Sequence, residues 1–270
     1  MHTLGSLTVV GPGICLGSHI TNETLVTIQN AEKVLINVYD PLMQTWLEHI
    51  NPNTESLQQF YSFSKERSTS YEEMTDYILS YLYQGLKVCA VFYGHPGVFA
   101  RSGHESIRRA QAEGYSTRML PAVSSEDCLF ADLGIDPSDC GCQSFEATDF
   151  LVYDRKFDPT SSLILWQIAM IGETKAINEV NTTNLFILVE MLQKSYISSH
   201  KVALYEAAQY PICDPLIQWV NLENVPYSQV TQLSTLYIPP NALASLDIIM
   251  VRRLGISLPK EDGNNAEATK

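Results

Sequence analysis

The sequence contains little charge, and most of that charge is negative. Only 17% of its 270 residues are charged, and 30 acidic residues against 17 basic ones give a formal net charge of −13. A chain with this balance repels phosphate backbones, so the composition disfavours a nucleic acid as substrate or partner. Hydrophobic residues still make up 45% of the sequence, which is enough material for a packed core.

Long apolar runs and metal-binding cysteine patterns are also absent. No apolar stretch is long enough to cross a bilayer, and Met1-His2-Thr3 is not followed by the basic and apolar segments of a signal peptide. The six cysteines lack metal-ligand spacing, because Cys140-Gly141-Cys142 stands alone. We therefore expect no metal, no membrane partner, mostly buried free thiols and a cytoplasmic location.

Short apolar segments alternate with helix signals in the first half of the chain. The β-prone runs are 7–10, 34–38, 88–92 and 117–120, and the helix signals begin near Thr21, Ser70, Gly103 and Ser124. Ser70 followed by Glu73 indicates a capping box at the start of a helix. The alternation predicts an α/β domain with a parallel sheet over residues 1–154.

The spacing of these signals changes beyond about Asp154. Strand-like segments at 163–166, 202–205 and 236–238 lie farther apart, and a helix pattern runs from about Thr183 to Lys194. We expect a second, mixed α/β domain over residues 155–256, followed by a polar tail at 257–270.

Three loops of unusual composition follow predicted strands, where ligands bind in open α/β sheets. They are Gly11-Pro12-Gly13, Tyr93-Gly94-His95-Pro96-Gly97-Val98-Phe99 and Pro121-Ala122-Val123-Ser124-Ser125. The first loop lacks the G-x-G-x-x-G spacing of a dinucleotide site, because the next glycine is Gly17. Singly, each loop could serve only to turn the chain or, for the two serines, to cap a helix.

Together, the three loops resemble those of the tetrapyrrole methylase superfamily, which are G-x-G-x-x-x-x-x-x-T, G-D-P-x-x-F and P-G-x-S-S. The resemblance extends over about residues 7–240. His95 replaces the usual Asp of the second loop, and Ala122 replaces Gly in the third. The altered loop Gly-His-Pro-Gly-Val-Phe is similar to one branch in particular, the borosin peptide backbone α-N-methyltransferases.

A second set of residues resembles the same branch. Tyr61, Arg67, Tyr71 and Tyr93 match in spacing the Tyr, Arg, Tyr and Tyr that borosin enzymes place around the acceptor amide. The resemblance implies that these four residues are catalytic. Arg67 stays protonated and would stabilise charge, Tyr61 or Tyr93 would take the amide proton, and Tyr71 would hold the carbonyl. The alternative is that Tyr71 merely begins a helix and that Arg67 is a surface residue.

The resemblance also implies a cofactor and a fold. The cofactor is S-adenosylmethionine, converted to S-adenosylhomocysteine without a metal, and the fold is a two-domain α/β tetrapyrrole-methylase-like fold with a parallel N-terminal sheet and a mixed C-terminal sheet. The residues implied for cofactor binding lie in the three loops and at two strand ends of the second domain. They are Pro12, Tyr93, His95, Val98, Phe99, Ser124, Ser125, Gln167 and Ala207.

The same resemblance implies a peptide substrate and a homodimer. Because Ser257-Leu258-Pro259 leads into a polar tail without a Val/Ile-rich core peptide, we expect the split type. Such an enzyme acts in trans on a separate precursor, in a heterotetramer with two precursor chains. A tetrapyrrole (precorrin-type) C-methyltransferase and an inactive peptide-binding partner remain as alternatives. A ribosomal-RNA 2′-O-methyltransferase is disfavoured by charge, and no motif supports a diphthamide-type methylase.

Overall fold

The computed structural model describes residues 5–177, 180 and 182–257. These residues form two five-stranded sheets, one parallel and one mixed. The α/β architecture expected from the sequence, with a parallel sheet first and a mixed sheet second, is therefore confirmed. Apart from Ser257, the expected polar tail lies outside the described residues, as does Met1-His2-Thr3.

The first sheet has the strand order β3-β2-β4-β1-β5, and every pair in it is parallel. Its strands are β1 (Ser6–Val10), β2 (Lys33–Asn37), β3 (Thr54–Ser56), β4 (Lys87–Phe92) and β5 (Ser116–Met119). The helices along this part of the chain are α1 (Asn22–Gln29), α2 (Pro41–Ile50), α3 (Arg67–Tyr83) and α4 (Arg101–Ala112). The central strands β2 and β4 are buried almost throughout, as parallel strands covered on both faces must be.

The start of α3 differs from the sequence-based prediction. The predicted capping box at Ser70 is wrong, because the helix begins at Arg67 and Ser70 lies buried inside it. The Ser70 hydroxyl donates a hydrogen bond to the carbonyl of Phe60 at 2.9 Å. The Arg67 backbone N–H donates to the Thr174 carbonyl at 2.8 Å, so a contact with the second half of the chain holds the first residue of the helix.

The second sheet has the order β6-β7-β10-β8-β9, with β6 parallel to β7 and the other pairs antiparallel. Its strands are β6 (Cys142–Glu146), β7 (Ser162–Trp166), β8 (Lys201–Glu206), β9 (Leu216–Asn221) and β10 (Thr235–Ile238). The helices of this half are α5 (Ser125–Leu133), α6 (Pro137–Cys140), α7 (Ala147–Val152), α8 (Thr183–Leu192) and α9 (Ile248–Arg253). Its first strand thus precedes Asp154, where the sequence suggests that the second domain begins.

The cysteines are less buried than the sequence suggests. Cys15 and Cys89 are buried, but Cys128, Cys140 and Cys142 are partly exposed and Cys213 is exposed. The expectation of mostly buried thiols is therefore wrong. Cys89 lies in the central strand β4, whereas the exposed and partly exposed thiols lie on α5, at the β6 edge of the second sheet and in the loop before β9.

Hydrogen bonds between distant parts of the chain join the two halves along one edge. The Leu16 N–H donates to the Gln209 carbonyl at 2.8 Å, and the Tyr210 hydroxyl donates to the Asp40 carboxylate. These contacts bring the loops that follow β1 and β2 against the segment that follows β8. Within the part of the chain that the structure describes, no helix is both long and apolar enough to span a membrane.

Candidate active site

The loops after β1 and β4 touch each other, and glycine makes the contact possible. A Cβ atom on Gly11 would lie 1.9 Å from the Gly94 carbonyl oxygen. The Gly94 N–H donates to the Gly13 carbonyl at 3.1 Å, and Gly13 and Gly94 have φ values of +76° and +70°. Only glycine allows this approach without moving one of the loops.

His19 holds the first loop in shape. Its Nδ1 accepts hydrogen bonds from the backbone N–H groups of Ile14 at 3.3 Å and Cys15 at 3.1 Å. Burial lowers the pKa of His19, which favours the neutral ring that this acceptor role requires. The sequence reasoning missed His19, because a lone histidine shortly after a strand carries no signal of its own.

His95 organises the second loop. Its Nδ1 accepts the Gly97 N–H at 2.9 Å, and its carbonyl accepts the Val98 N–H at 3.1 Å. From α4, His104 Nε2 lies 2.9 Å from the Gly97 carbonyl. The loop ends in Phe99, whose φ of +53° is in the left-handed region that side chains other than glycine rarely adopt.

The two serines of the third loop have different surroundings. Ser124 caps α5, since its hydroxyl accepts the Asp127 N–H at 3.2 Å and Asp127 Oδ2 accepts the Ser124 N–H at 2.7 Å. This pair is a reciprocal capping box, so the Ser124 hydroxyl is engaged within the helix cap. Ser125 is the first residue of α5 and lines the cavity described next.

The second and third loops, Ile14 directly after the first loop and residues of the second sheet surround a cavity of about 270 Å³. Most of the residues that the sequence implicates in cofactor binding line this cavity. They are Tyr93, His95, Val98, Phe99, Ser124, Ser125 and Gln167. Pro12 is buried in the first loop, and Ala207 packs against the apolar cluster that includes Trp166 and Tyr205. Neither is among the described residues that line the cavity.

A larger cavity of about 510 Å³ adjoins the first and contains Tyr61, Arg67, Tyr71 and Tyr93 in its lining. The two cavities have walls in common, so they lie next to each other. The residues that line both are Asn37, Phe92, Tyr93, Phe99, Ala100, Gln167, Gln232 and Leu233. The four residues that the sequence singles out as catalytic are thus adjacent to the predicted cofactor loops.

Tyr61, Tyr71 and Arg67 form a close group. The rings of Tyr61 and Tyr71 are perpendicular, with centroids 6.3 Å apart. Burial is the main reason why the pKa of Tyr61 rises to about 12; Tyr71 raises it further, and a hydrogen bond with Asn37 and the charge of Arg67 oppose the rise. At neutral pH the Tyr61 phenol is therefore protonated and able to donate a hydrogen bond.

Arg67 links the group to the second half of the chain. Its guanidinium donates to the Glu173 carbonyl at 2.7 Å, in addition to the backbone bond to Thr174. Both contacts come from the segment 173–174, so the second half of the chain holds Arg67 at the wall of the larger cavity. The catalytic role of Arg67 stays a prediction.

Tyr93 lines both cavities but has different neighbours. Burial raises its pKa above the usual range, and the next largest influences come from Cys128, Asp40 and Cys15. Its side chain packs with the apolar cluster that contains Met43, whereas Tyr61 and Tyr71 pack with the cluster that contains Met74. The structure thus places all four residues around the larger cavity, with Tyr61 and Tyr71 packed in one apolar cluster and Tyr93 in another.

Two further residues, Asn37 and Gln232, line both cavities. The sequence contains a signal for Asn37 and none for Gln232. Asn37 is the last residue of β2, lines both cavities and accepts a hydrogen bond from Gln58 at 2.8 Å. A polar residue at the carboxyl end of a buried strand was a usable signal. Gln232 also lines both cavities, but it comes from the loop before β10, and no local pattern indicates its position.

A parallel sheet with glycine-rich loops at its carboxyl edge, packed against a mixed sheet with a cavity between them, defines a two-domain α/β methylase architecture. The chain belongs to the tetrapyrrole (corrin/porphyrin) methylases, since the model of that family matches residues 6–211. Its fold is similar to that of uroporphyrin-III-C-methyltransferase from Thermus thermophilus, with a TM-score of 0.62, 18% identity, and coverage of 97% of this chain and 100% of the other. Diphthine synthase is similar with a TM-score of 0.62, 17% identity, and coverage of 88% and 91%.

Several curated relatives are more similar in sequence. The chain is 40% identical over 255 residues to a methyltransferase/ribosomally synthesized cyclic peptide gymnopeptides precursor from Gymnopus fusipes, covering 93% of this chain and 61% of the relative. It is 39% identical over 259 residues to the corresponding omphalotin A precursor from Omphalotus olearius, with the same coverage. A type I borosin cyclic peptide precursor from Serendipita vermifera subsp. bescii is 38% identical over 258 residues, covering 93% and 63%. The chain spans about three fifths of the length of these relatives.

We predict that Gly11→Ala separates the loops after β1 and β4. The new Cβ would overlap the Gly94 carbonyl oxygen, and overpacking of this kind costs about 1–3 kcal/mol. Amide hydrogen exchange should show that the Gly94 N–H loses its protection. Gly17→Ala is the matched control, because Gly17 has a φ of +71° with nothing within 4 Å of a new Cβ. Gly17→Ala should destabilise the chain through backbone strain while the Gly94 N–H stays protected. A protected Gly94 N–H in the Gly11→Ala variant would contradict the contact between the two loops.

Proposed function

We propose that the chain is an S-adenosylmethionine-dependent methyltransferase that methylates backbone amide nitrogens of a peptide. One observation carries the proposal: the cavity lined by the predicted cofactor loops shares its walls with the cavity that holds Tyr61, Arg67 and Tyr71. The identity of 38–40% to relatives named as methyltransferases and cyclic peptide precursors supports the same substrate class.

The chemistry of the smaller cavity suits S-adenosylmethionine. The rings of Phe99 and Trp166 lie 6.1 Å apart and provide an aromatic wall for an adenine base. Ser125, at the start of α5, lies where backbone N–H groups can bind a carboxylate. When bound there, the cofactor would supply a methyl group on a sulfonium, which is a strong leaving group.

The residues of the larger cavity suit activation of an amide. A backbone amide nitrogen is a poor nucleophile because its lone pair is delocalised into the carbonyl. It becomes reactive when the N–H proton leaves and negative charge moves to the oxygen. The Arg67 guanidinium and the phenols of Tyr61 and Tyr71 would stabilise that oxygen, as donors in an oxyanion hole do.

The raised pKa values change the role that we propose for the tyrosines. Burial makes Tyr61 and Tyr93 weaker acids, so both are protonated at neutral pH, which is the opposite of what a general base needs. We propose that Tyr61 donates a hydrogen bond to the amide oxygen together with Tyr71. The amide proton then leaves to water at the mouth of the cavity, where Tyr39 and Phe63 are 75% and 60% exposed.

The exposed mouth also supports a peptide that arrives as a separate molecule. Tyr39 and Phe63 line the larger cavity and still have most of their surface in solvent, so an extended chain can enter from outside. Our proposal is therefore that this site methylates a precursor in trans, with the amide threaded past Tyr71 towards the smaller cavity.

The final described segment supports a homodimer. Between residues 241 and 257 most apolar side chains are exposed, including 94% of Leu243, 72% of Ile249 and 65% of Leu254, and Val251 is partly buried. Contiguous exposed apolar surface of this kind is characteristic of association sites. We propose that this segment packs on a second copy of the chain, giving a heterotetramer when two precursor chains are bound.

Co-expression with a candidate precursor peptide tests the proposed reaction, with tandem mass spectrometry of that peptide. Added methyl masses should fragment to backbone nitrogens. Tyr71→Phe should slow methylation about 100-fold, because it removes one donor to the developing oxyanion. Tyr83→Phe, on the same helix but 48% exposed, is the matched control and should react normally. Methyl groups on side chains, or methylation of a porphyrin-like compound instead, would contradict the proposal.

The role of Tyr61 gives a pH prediction. Because its pKa is about 12, the phenol is protonated at all pH values from 6.5 to about 9.5. A donor role therefore predicts that the ratio of single-turnover rates, wild type over Tyr61→Phe, stays constant over this range. A base role predicts that the ratio rises about tenfold per pH unit, and that result would overturn the assignment.

The dimer proposal predicts that Ile249→Asp yields monomers in analytical ultracentrifugation, since a buried unpaired charge opposes association. Ile212→Asp is the matched control, because Ile212 is 95% exposed but lies in the loop before β9. A wild-type chain that sediments as a monomer at high concentration would contradict the proposal.

A further inference from the structure

Glu126 is a carboxylate that the proposed reaction leaves without a task. It is the one acidic side chain among the described residues that line the smaller cavity. Burial raises its pKa, the nearby charge of Asp127 raises it further, and a hydrogen bond with Ser144 opposes the rise. The ion pairs formed within the described ranges do not include Glu126.

Two separate elements hold the carboxylate in place. Glu126 is the second residue of α5, whose start is fixed by the reciprocal bonds between Ser124 and Asp127. Its partner Ser144 lies on β6, and the Ser144 hydroxyl accepts the Trp166 Nε1–H at 2.6 Å. Because Trp166 itself lines the cavity, Glu126 is tied to the cavity wall rather than free in solvent.

A half-buried carboxylate without a cation is unfavourable, and a ligand cation would remove the penalty. The amino acid part of S-adenosylmethionine carries a carboxylate and an ammonium group on one carbon, so their binding groups must be neighbours. Ser125 and the first N–H groups of α5 suit the carboxylate. Glu126 lines the same cavity as Ser125, so a carboxylate is available there for the ammonium.

We propose that Glu126 binds the α-ammonium group of the cofactor's amino acid part and so selects ligands that carry it. This inference rests on the proposed cofactor. It makes Glu126 a binding and specificity residue of the smaller cavity, with no part in the transfer of the methyl group.

Calorimetric titration with two ligands tests this role without any measurement of turnover. S-adenosylhomocysteine carries the ammonium and carboxylate groups, whereas 5′-methylthioadenosine has the same nucleoside and lacks the whole amino acid part; only loss of an ammonium contact makes removal of a negative charge weaken binding. Glu126→Gln keeps the shape and can still bond to Ser144, but it removes the negative charge. It should weaken S-adenosylhomocysteine about 10- to 100-fold, the range for loss of a charged hydrogen bond, and change methylthioadenosine less than about twofold.

Controls separate the outcomes. Glu190→Gln, an exposed acid on α8, should change neither affinity. Glu126→Asp keeps the charge on a shorter side chain and should retain part of the difference in affinity between the two ligands. This variant replaces Glu126→Gln in the test if the Gln variant does not fold. Equal weakening of both ligands would show that Glu126 binds the nucleoside, and no weakening would show that it binds neither, so either result overturns the inference. If the wild-type chain binds neither ligand, the proposed cofactor itself fails.

Discussion

The wall that the two cavities share depends on left-handed backbone at Phe99 and Gln167. These residues have φ values of +53° and +58°, and both line both cavities. A side chain other than glycine in this conformation costs about 1–2 kcal/mol. The strain persists because the surrounding loops are fixed by hydrogen bonds, and it turns the Phe99 ring towards Trp166 at the wall of the smaller cavity.

The charges in the two cavities differ in sign although the chain as a whole is acidic. The smaller cavity contains Glu126, and the larger one contains Arg67, held by the Glu173 carbonyl. The proposed reaction needs a negative charge near the cationic methyl donor and a positive charge near the amide oxygen, where negative charge develops. The larger cavity also contains Arg101, whereas the residues that line both cavities are uncharged aromatic, amide and aliphatic side chains.

Local sequence patterns predicted the parts of the structure that local interactions determine. The buried strand β4 and the glycines of the first two loops follow directly from composition, because an apolar run and a backbone approach each leave a visible signature. The capping box at Ser70 failed because a contact between Arg67 and Thr174 fixes the start of the helix. Pairs such as Tyr210 and Asp40, which are 170 residues apart, leave no local pattern at all.

In the candidate site, too, the sequence predicted some features and could not predict others. The spacing of Tyr61, Arg67 and Tyr71 resembled a known set, and the structure groups them around one cavity. The protonation of Tyr61 could not be read from the sequence, because its pKa depends on burial in the folded chain and on neighbours such as Tyr71 and Asn37. Asn37 was missed although it ends a buried strand, since no family pattern drew attention to it.

A crystal structure of the chain with a non-reactive S-adenosylmethionine analogue and a bound peptide would test the central claim most directly. The account predicts a backbone amide nitrogen facing the position of the transferable methyl group, about 3–3.5 Å away. Its carbonyl oxygen should lie within hydrogen-bond distance of Tyr61, Tyr71 or Arg67. A peptide bound outside the larger cavity, or an amide turned away from the analogue, would contradict it.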